Sequence, residues 1–186
     1  MSIERNLIVS TEWLAEHLHD PELRIIDIRG HVLPASEPLP HYFAHHAEYL
    51  ESHIPGAVFV DWTTDIVQPG SPSQDIAGPE QFAALMSRLG IGSGSLVIAY
   101  DDAASMFAAR MWWALRYYGH LRAAVLDGGW QKWIAEGRPV SSLIPRLAPA
   151  RFVPQVRMDE FADAATILER QPQAVLLDVR TIDEYE

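Results

Sequence analysis

Short apolar runs of strand length alternate along the first two thirds of the chain with stretches whose apolar positions recur every three or four residues. That alternation predicts parallel strands joined by helices that cover them. The strand candidates are residues 23–28, 57–60, 96–100 and 123–126, rich in Val, Ile, Leu and Ala, each containing or running into an Asp. The clearest helix opens at Pro79, whose fixed φ and missing N–H suit a first helical position. It sets Phe82, Leu85, Met86 and Leu89 on one face before Gly90 ends it. A second helix is expected over residues 106–118, with Phe107, Met111, Ala114, Leu115 and Tyr118 on one face and Gly119 as its cap. A third is expected over residues 13–18. The fold class is α/β.

Two stretches break the rhythm. Residues 68–78 hold two prolines, two glycines and two serines, which suits a long surface loop. Residues 138–155 contain Pro139, Pro145, Pro149 and Pro154, a spacing that favours an extended, semi-rigid connector over a packed element. Beyond it the opening of the chain repeats. Val9-Ser-Thr-Glu-Trp-Leu-Ala15 leads to Leu23-Arg-Ile-Ile-Asp-Ile-Arg29, and Val156-Arg-Met-Asp-Glu-Phe-Ala162 leads to Ala174-Val-Leu-Leu-Asp-Val-Arg180. A repeat at so long an interval implies duplicated domains. The organisation read from it is a first domain over residues 1–137, an interdomain linker over 138–155, and the start of a second domain, cut short, over 156–186. A helix and strand alone cannot bury enough apolar surface to offset their ordering entropy, so residues 156–186 must stay mobile, dock on the first domain or pair with a second copy; mobility is expected, with self-association as the competing outcome.

Composition narrows the chemistry. With 14 Lys and Arg against 25 Asp and Glu, the net charge of −11 repels polyanions, and no basic patch points to nucleic acid. No apolar run approaches the ~20 residues of a membrane span and the start lacks a signal-peptide pattern, so a soluble cytoplasmic protein is expected. Among 186 residues there is no cysteine, which removes disulfides, thiolate metal sites and any cysteine nucleophile within this stretch.

In an open parallel sheet, ligands bind at the carboxyl ends of the strands. The residues there are Asp27 and Arg29, Asp61 and Trp62, Asp101 and Asp102, and Asp127-Gly-Gly-Trp130. The loop from Asp101 to Ser105, between a strand and a helix, is a ready anion cradle, yet it carries two carboxylates.

Several segments, taken in order, resemble the rhodanese family of sulfurtransferases, specifically the two-domain thiosulfate or 3-mercaptopyruvate type. They are Ile26-Asp27-Ile28-Arg29, Ala47-Glu-Tyr-Leu-Glu-Ser-His53-Ile-Pro-Gly-Ala57, Ala99-Tyr100-Asp101, Arg110-Met-Trp112-Trp113 and Leu126-Asp127-Gly-Gly-Trp-Gln-Lys-Trp133, with Leu177-Asp-Val-Arg180 matching the opening of a second domain. The resemblance implies a three-layer domain with a mainly parallel sheet between helices. It implies transfer of sulfane sulfur from a small anionic donor, thiosulfate or 3-mercaptopyruvate, to cyanide or a thiol through a cysteine persulfide, with no cofactor. It places that cysteine in the second domain, leaves Asp101 as the vestigial counterpart in the first, and makes this chain by itself inactive. The alternatives are a cysteine-free rhodanese-like module for regulation or protein interaction, and a rhodanese-related phosphatase or arsenate reductase, which would need the same missing thiolate.

The resemblance also frames the remaining candidates. Asp101 reads as a helix cap that ties loops together, and Ser105 as a loop residue, not a nucleophile using His53. His53 reads either as a turn residue or as a contributor to the interdomain cleft, and Arg180 as a second such contributor. Asp27 with Arg29, and Asp178 with Arg180, read as structural ion pairs, with direct binding of an anionic donor as the alternative. Glu184 stands where mercaptopyruvate-type members carry a further arginine. His41 and His45 would share a face if their segment were helical, with His46 pointing elsewhere; solvated histidines are expected and no metal site. Trp112, Trp113, Tyr117, Tyr118, Trp130 and Trp133 read as core and interdomain packing. Gly128 and Gly129 read as a tight turn passing close to the Asp101 loop.

Overall fold

The computed structural model of the chain describes residues 7–34, 36–71, 75–170 and 175–179. Its strands are β1 (Ile8–Val9), β2 (Leu23–Asp27), β3 (Gly30–Val32), β4 (Tyr42–Ala44), β5 (Ala57–Phe59), β6 (Leu96–Tyr100) and β7 (Ala123–Leu126). Its helices are α1 (Thr11–His17), α2 (His46–Glu51), α3 (Pro79–Arg88), α4 (Met106–Tyr117), α5 (Gly129–Ala135) and α6 (Ala164–Arg170). Five strands form one sheet in the order β1-β7-β6-β2-β5, every pair parallel. Strands β3 and β4 form a separate antiparallel hairpin.

The central strand β6 shows why its sequence is an unbroken apolar run. Leu96, Ile98 and Tyr100 pack on one side of the sheet with Leu14 of α1 and Trp133 of α5. Val97 and Ala99 pack on the other with Phe82, Leu85 and Met86 of α3 and Phe107, Met111 and Leu115 of α4. A strand buried on both faces has no polar alternation to display. The result is the three-layer α/β arrangement expected from the sequence.

Boundaries moved where side chains cap or strands are too short to show a period. Helix α1 starts at Thr11, two residues before the expected start, because Ser10 Oγ accepts from Trp13 N at 3.1 Å. The two-residue β1 and the hairpin were not predicted. The hairpin includes residues 42–44, so the helix considered for 41–46 begins only at His46.

The proline-rich stretch is extended, as its composition dictates, but it is packed, which corrects the expectation of a connector that makes no packed element. Ser141 exchanges both backbone hydrogen bonds with His53, at 2.8 and 2.9 Å. Trp133 Nε1 donates to Pro139 O at 2.8 Å, and Ala150 N donates to Ser87 O at 2.9 Å. Phe152 is buried in the core, edge-on to Phe82. The prolines hold the backbone extended without forming internal hydrogen bonds, so the residues between them are free to pair with the domain.

Past it, a 3₁₀ turn (Met158–Glu160) lies against α4. Trp113 Nε1 donates to Glu160 O at 2.8 Å, Arg116 pairs with the Glu160 carboxylate at 2.5 Å, and Tyr117 packs against Phe161. The strand expected over residues 174–179 is absent from the described residues 175–179, where Val175 is 97% and Leu177 82% exposed. Among the described residues no strand lies alongside it to complete its hydrogen bonds.

Candidate functional site

The carboxyl ends of β2, β6 and β7 converge on the loop that follows Tyr100. Asp101, only 1% exposed, turns its carboxylate inward. One oxygen accepts from Ala103 N at 3.0 Å and Ser105 N at 2.9 Å, the other from Phe107 N and Ala108 N, both at 2.8 Å. Four backbone donors at the start of α4 thus close around a single anion. To present them, the loop carries Ala104 and Ser105 at φ of 53° and 70°, in the left-handed region that non-glycine residues avoid. Such residues cost on the order of 1–3 kcal/mol each. Charge-assisted hydrogen bonds, worth about 1.5–3 kcal/mol each, offset that cost.

The turn after β7 supports the loop from behind. Trp130 N donates to Asp101 O at 2.8 Å. A Cβ on Gly129 would collide with that same carbonyl oxygen, so the close approach foreseen for the glycine pair is real and requires glycine.

Behind the loop lies a fully buried network. Asp27 accepts from Arg29 Nε at 3.0 Å to each oxygen, from Arg29 N at 3.1 Å and from Tyr100 O–H at 2.5 Å. Arg29 also donates to Ser52 O at 2.7 Å, and its guanidinium lies 4.3 Å from the centre of the Trp130 ring. Burial raises the Asp27 carboxyl from its usual value against the pull of Arg29, and burial beside Asp27 pushes the Tyr100 hydroxyl well above its usual value. Arg29 is 2% exposed and committed to this network, which matches the structural pairing read from the sequence.

His53, expected either in a turn or at an interdomain cleft, has no exposed surface here. Its Nδ1 lies 2.7 Å from Tyr49 O and its Nε2 3.2 Å from Leu143 O, so the ring fastens the proline-rich stretch to α2. Arg180 and Glu184 lie outside the described residues. Ser105 contributes its backbone N–H to the Asp101 cradle, and His53 is engaged elsewhere.

The histidine segment is rearranged relative to the sequence reading. His41 is in extended chain, with Nε2 2.7 Å from Glu37 O, and His46 packs its ring on Phe59 and Tyr49. His41 and His45 therefore share no helix face. Instead His45 Nδ1 lies 2.7 Å from Asp102 Oδ2, and its Nε2 lies 2.7 Å from His31 Nδ1. Asp102 Oδ1 in turn accepts from Gly30 N at 3.0 Å. No sequence signal linked His31 to His45, because only the unforeseen hairpin brings them together. Among the described residues no three or more His, Cys, Asp or Glu side chains form a metal cage.

Beside the Asp101 loop, Ser105, Ala109, Trp112, Ile8 and Leu126 line an apolar cavity of about 230 Å³. The only charged residue on its wall, Asp127, is paired with Lys132. The arrangement holds its own anion, and the described residues on the cavity wall include no Lys or Arg. None of the described helices is long and apolar enough to cross a membrane.

Comparison with known proteins agrees with this architecture. A family model described as a rhodanese-like domain matches residues 10–136. The chain is 34% identical over 185 residues to the sulfur carrier protein TtuD of Thermus thermophilus, covering 96% of this chain and 59% of that protein. It is 38% identical over 152 residues to the thiosulfate sulfurtransferase of Bos taurus, covering 78% and 48%. Among solved structures, SseA of Escherichia coli, described as a 3-mercaptopyruvate sulfotransferase, superposes with a TM-score of 0.83 at 30% identity, covering 96% and 67%. The chain spans about half to three fifths of the length of the curated relatives it matches.

Proposed function

The chain belongs to the rhodanese family, and on that premise we propose that it is the non-catalytic part of a two-domain sulfurtransferase. In this reading residues 1–137 are the first rhodanese domain, 138–155 the linker, and 156–186 the opening of a second domain that supplies the cysteine. The intact protein then moves sulfane sulfur from a donor such as thiosulfate or 3-mercaptopyruvate to cyanide or a thiol in the cytoplasm, by way of a persulfide. Similarity to relatives named as thiosulfate sulfurtransferases, and the repeat of the opening segment after residue 155, support it.

The observation that carries the reading is the Asp101 carboxylate inside four backbone N–H groups. A persulfide chemistry needs a thiolate in such a cradle, because only sulfur can accept the transferred sulfane atom and release it again. Here the cradle is filled by a carboxylate that can do neither. Residues 1–186 should therefore give no thiocyanate from thiosulfate and cyanide. Turnover that survives rigorous purification, and that a substitution within these residues abolishes, would overturn the assignment.

A second reading, a cysteine-free rhodanese module that works by binding other proteins, draws on the same filled cradle. The coding sequence downstream of Glu186 separates the two: a cysteine-bearing loop there supports the enzyme, and a stop codon supports the module.

A further inference from the structure

We infer that His120 is a proton-operated latch for a strap, residues 150–157, which lies closed over the neutral imidazole and lifts from the domain when the ring takes up a proton. This is independent of the sulfur-transfer reading. His120 sits in the turn between α4 and β7, and the strap crosses directly over that turn. Gly119 stands at φ 83°, where a Cβ would come within 2.9 Å of Gln155 Cβ and 3.0 Å of Gln155 O, so the two backbones are in contact. The Phe152 ring lies 5.9 Å from the imidazole.

The strap is built to lift as a unit. Ala150 N and Phe152 N donate to Ser87 O and Ser87 Oγ at 2.9 and 3.2 Å, and Gln155 N and Arg157 N donate to Tyr118 O and Tyr117 O at 2.9 and 2.8 Å. Outside it the chain is tied down independently, at Ser141 by His53 and at Glu160 by Trp113 and Arg116, so the strap can open as a loop with both ends in place. A cavity of about 270 Å³ already lies between the layers, walled by Ser93, Tyr118 and Arg122 on one side and Phe152, Val153 and Gln155 on the other. Lifting the strap opens that cavity, and the His120 ring on its wall, to water.

The closed state suits a neutral ring and not an imidazolium. His120 is 5% exposed, and its Nε2 has no hydrogen-bond partner among the described residues. The charged group whose field reaches the ring among those residues is Arg122, itself a cation, on which the Glu22 carboxylate is engaged at 2.9 Å. Tyr118 commits its hydroxyl to Ala77 O. On the strap, Phe152, Val153 and Gln155 bring no charge to the cavity, Arg151 is exposed, and Arg157 pairs with Asp159 and Glu160. The backbone of Ser95 and Arg122 favours the charged ring, but burial outweighs it and holds the His120 pKa below the usual histidine value. Once the strap lifts, the ring meets water and protonates near the ordinary value of ~6.5. The open state thus binds a proton that the closed state lacks. Its population grows about tenfold per pH unit as the pH falls from ~6.5 toward the lower closed-state value, and levels off there.

The test is amide hydrogen exchange of the purified chain from neutral to mildly acidic pH, with each rate divided by that of an unstructured chain at the same pH. The expected result is that protection at Ala150, Phe152, Gln155 and Arg157 falls about tenfold per pH unit below ~6.5 and is insensitive to low urea, because a local opening exposes little surface. Protection at Ile98 in the central strand should instead respond to urea, as global unfolding does. His120→Gln, which takes up no proton, should make protection of the strap independent of pH. In the natural sequence, which needs no variant to fold, the ring nitrogen resonances should show His120 titrating at lower pH than the exposed His19. Strap protection that is flat with pH, or that shares the urea dependence of Ile98, would mean that the strap leaves only when the whole domain unfolds and would overturn the inference. So would a His120 that titrates together with His19, or a fall in protection that His120→Gln leaves unchanged.

Discussion

Asp101 Oδ2 lies 2.8 Å from the backbone nitrogen of Ala108, seven residues ahead in the chain, so one side chain closes the loop after β6 and caps the helix that follows. The same carboxylate reaches Phe107, Ser105 and Ala103, and the loop's two left-handed residues keep their conformation because those four donors are satisfied together.

Replacing Asp101 by Asn tests that dependence. One carboxamide oxygen can still accept from two N–H groups, but the NH₂ then faces the other two. Loss of two charge-assisted hydrogen bonds should destabilise the domain by about 3 kcal/mol. Chemical denaturation of both proteins checks it, and a change below about 0.5 kcal/mol, the range of an ordinary surface substitution, would show that the loop holds itself.

Asp101→Cys asks whether the cradle still serves sulfur. A thiolate there would lie among the N–H groups at the start of α4, which stabilise the charged form even though one sulfur cannot replace both carboxylate oxygens. The neighbouring cavity wall is apolar, its one charged residue is an acid, and Asp102 sits next in sequence, so nothing attracts an anionic donor. Thiocyanate formation should be detectable but weak. Rates like those of a thiosulfate sulfurtransferase would mean that the loop lacks only its thiol.

Much of this was legible beforehand, for physical reasons. The α3 face of Phe82, Leu85 and Met86 and the doubly buried β6 announce themselves because burial imposes a period, or abolishes one, over many residues. Asp101 as a cap was readable because it concerns a single loop, and the close approach of Gly129 because paired glycines mark a turn that needs residues without Cβ. The pairing of His45 with His31 was not, since it depends on a hairpin of three-residue strands that carries too few positions to show alternation. The packing of residues 138–155 was hidden by their prolines. Proline spacing reports backbone stiffness, and it says nothing of what the intervening Phe152 touches.

His120 makes stability depend on pH. It is 5% exposed, its Nε2 has no hydrogen-bond partner among the described residues, and burial lowers its pKa below the usual histidine value. The unfolded chain therefore binds a proton more readily than the folded one. Stability is complete above the unfolded value near ~6.5 and falls as the pH drops from there toward the lower folded value. Urea midpoints measured from neutral to mildly acidic pH should decline in the natural sequence. In His120→Gln the decline should be shallower, and parallel curves for the two proteins would remove His120 as the cause.

Phe152 tests whether the proline-rich stretch belongs to the rhodanese-like domain or merely leads away from it. Its ring is 7% exposed, edge-on to Phe82 at 5.7 Å and 5.9 Å from His120. Its N–H reaches Ser87 Oγ at 3.2 Å, and the flanking residues Ala150 and Gln155 donate to Ser87 O and Tyr118 O. Phe152→Ala leaves those backbone bonds intact and removes only the ring, so its effect isolates core packing. Truncating a buried Phe costs about 3–5 kcal/mol where the cavity cannot collapse, and the extended backbone here can partly follow the gap. A loss of about 2–4 kcal/mol is expected, with a single cooperative transition retained, because the residue would be part of the same folding unit as α3 and α4. A loss below about 1 kcal/mol, or a separate early transition, would mean that the stretch detaches without disturbing the domain and that its packing is incidental.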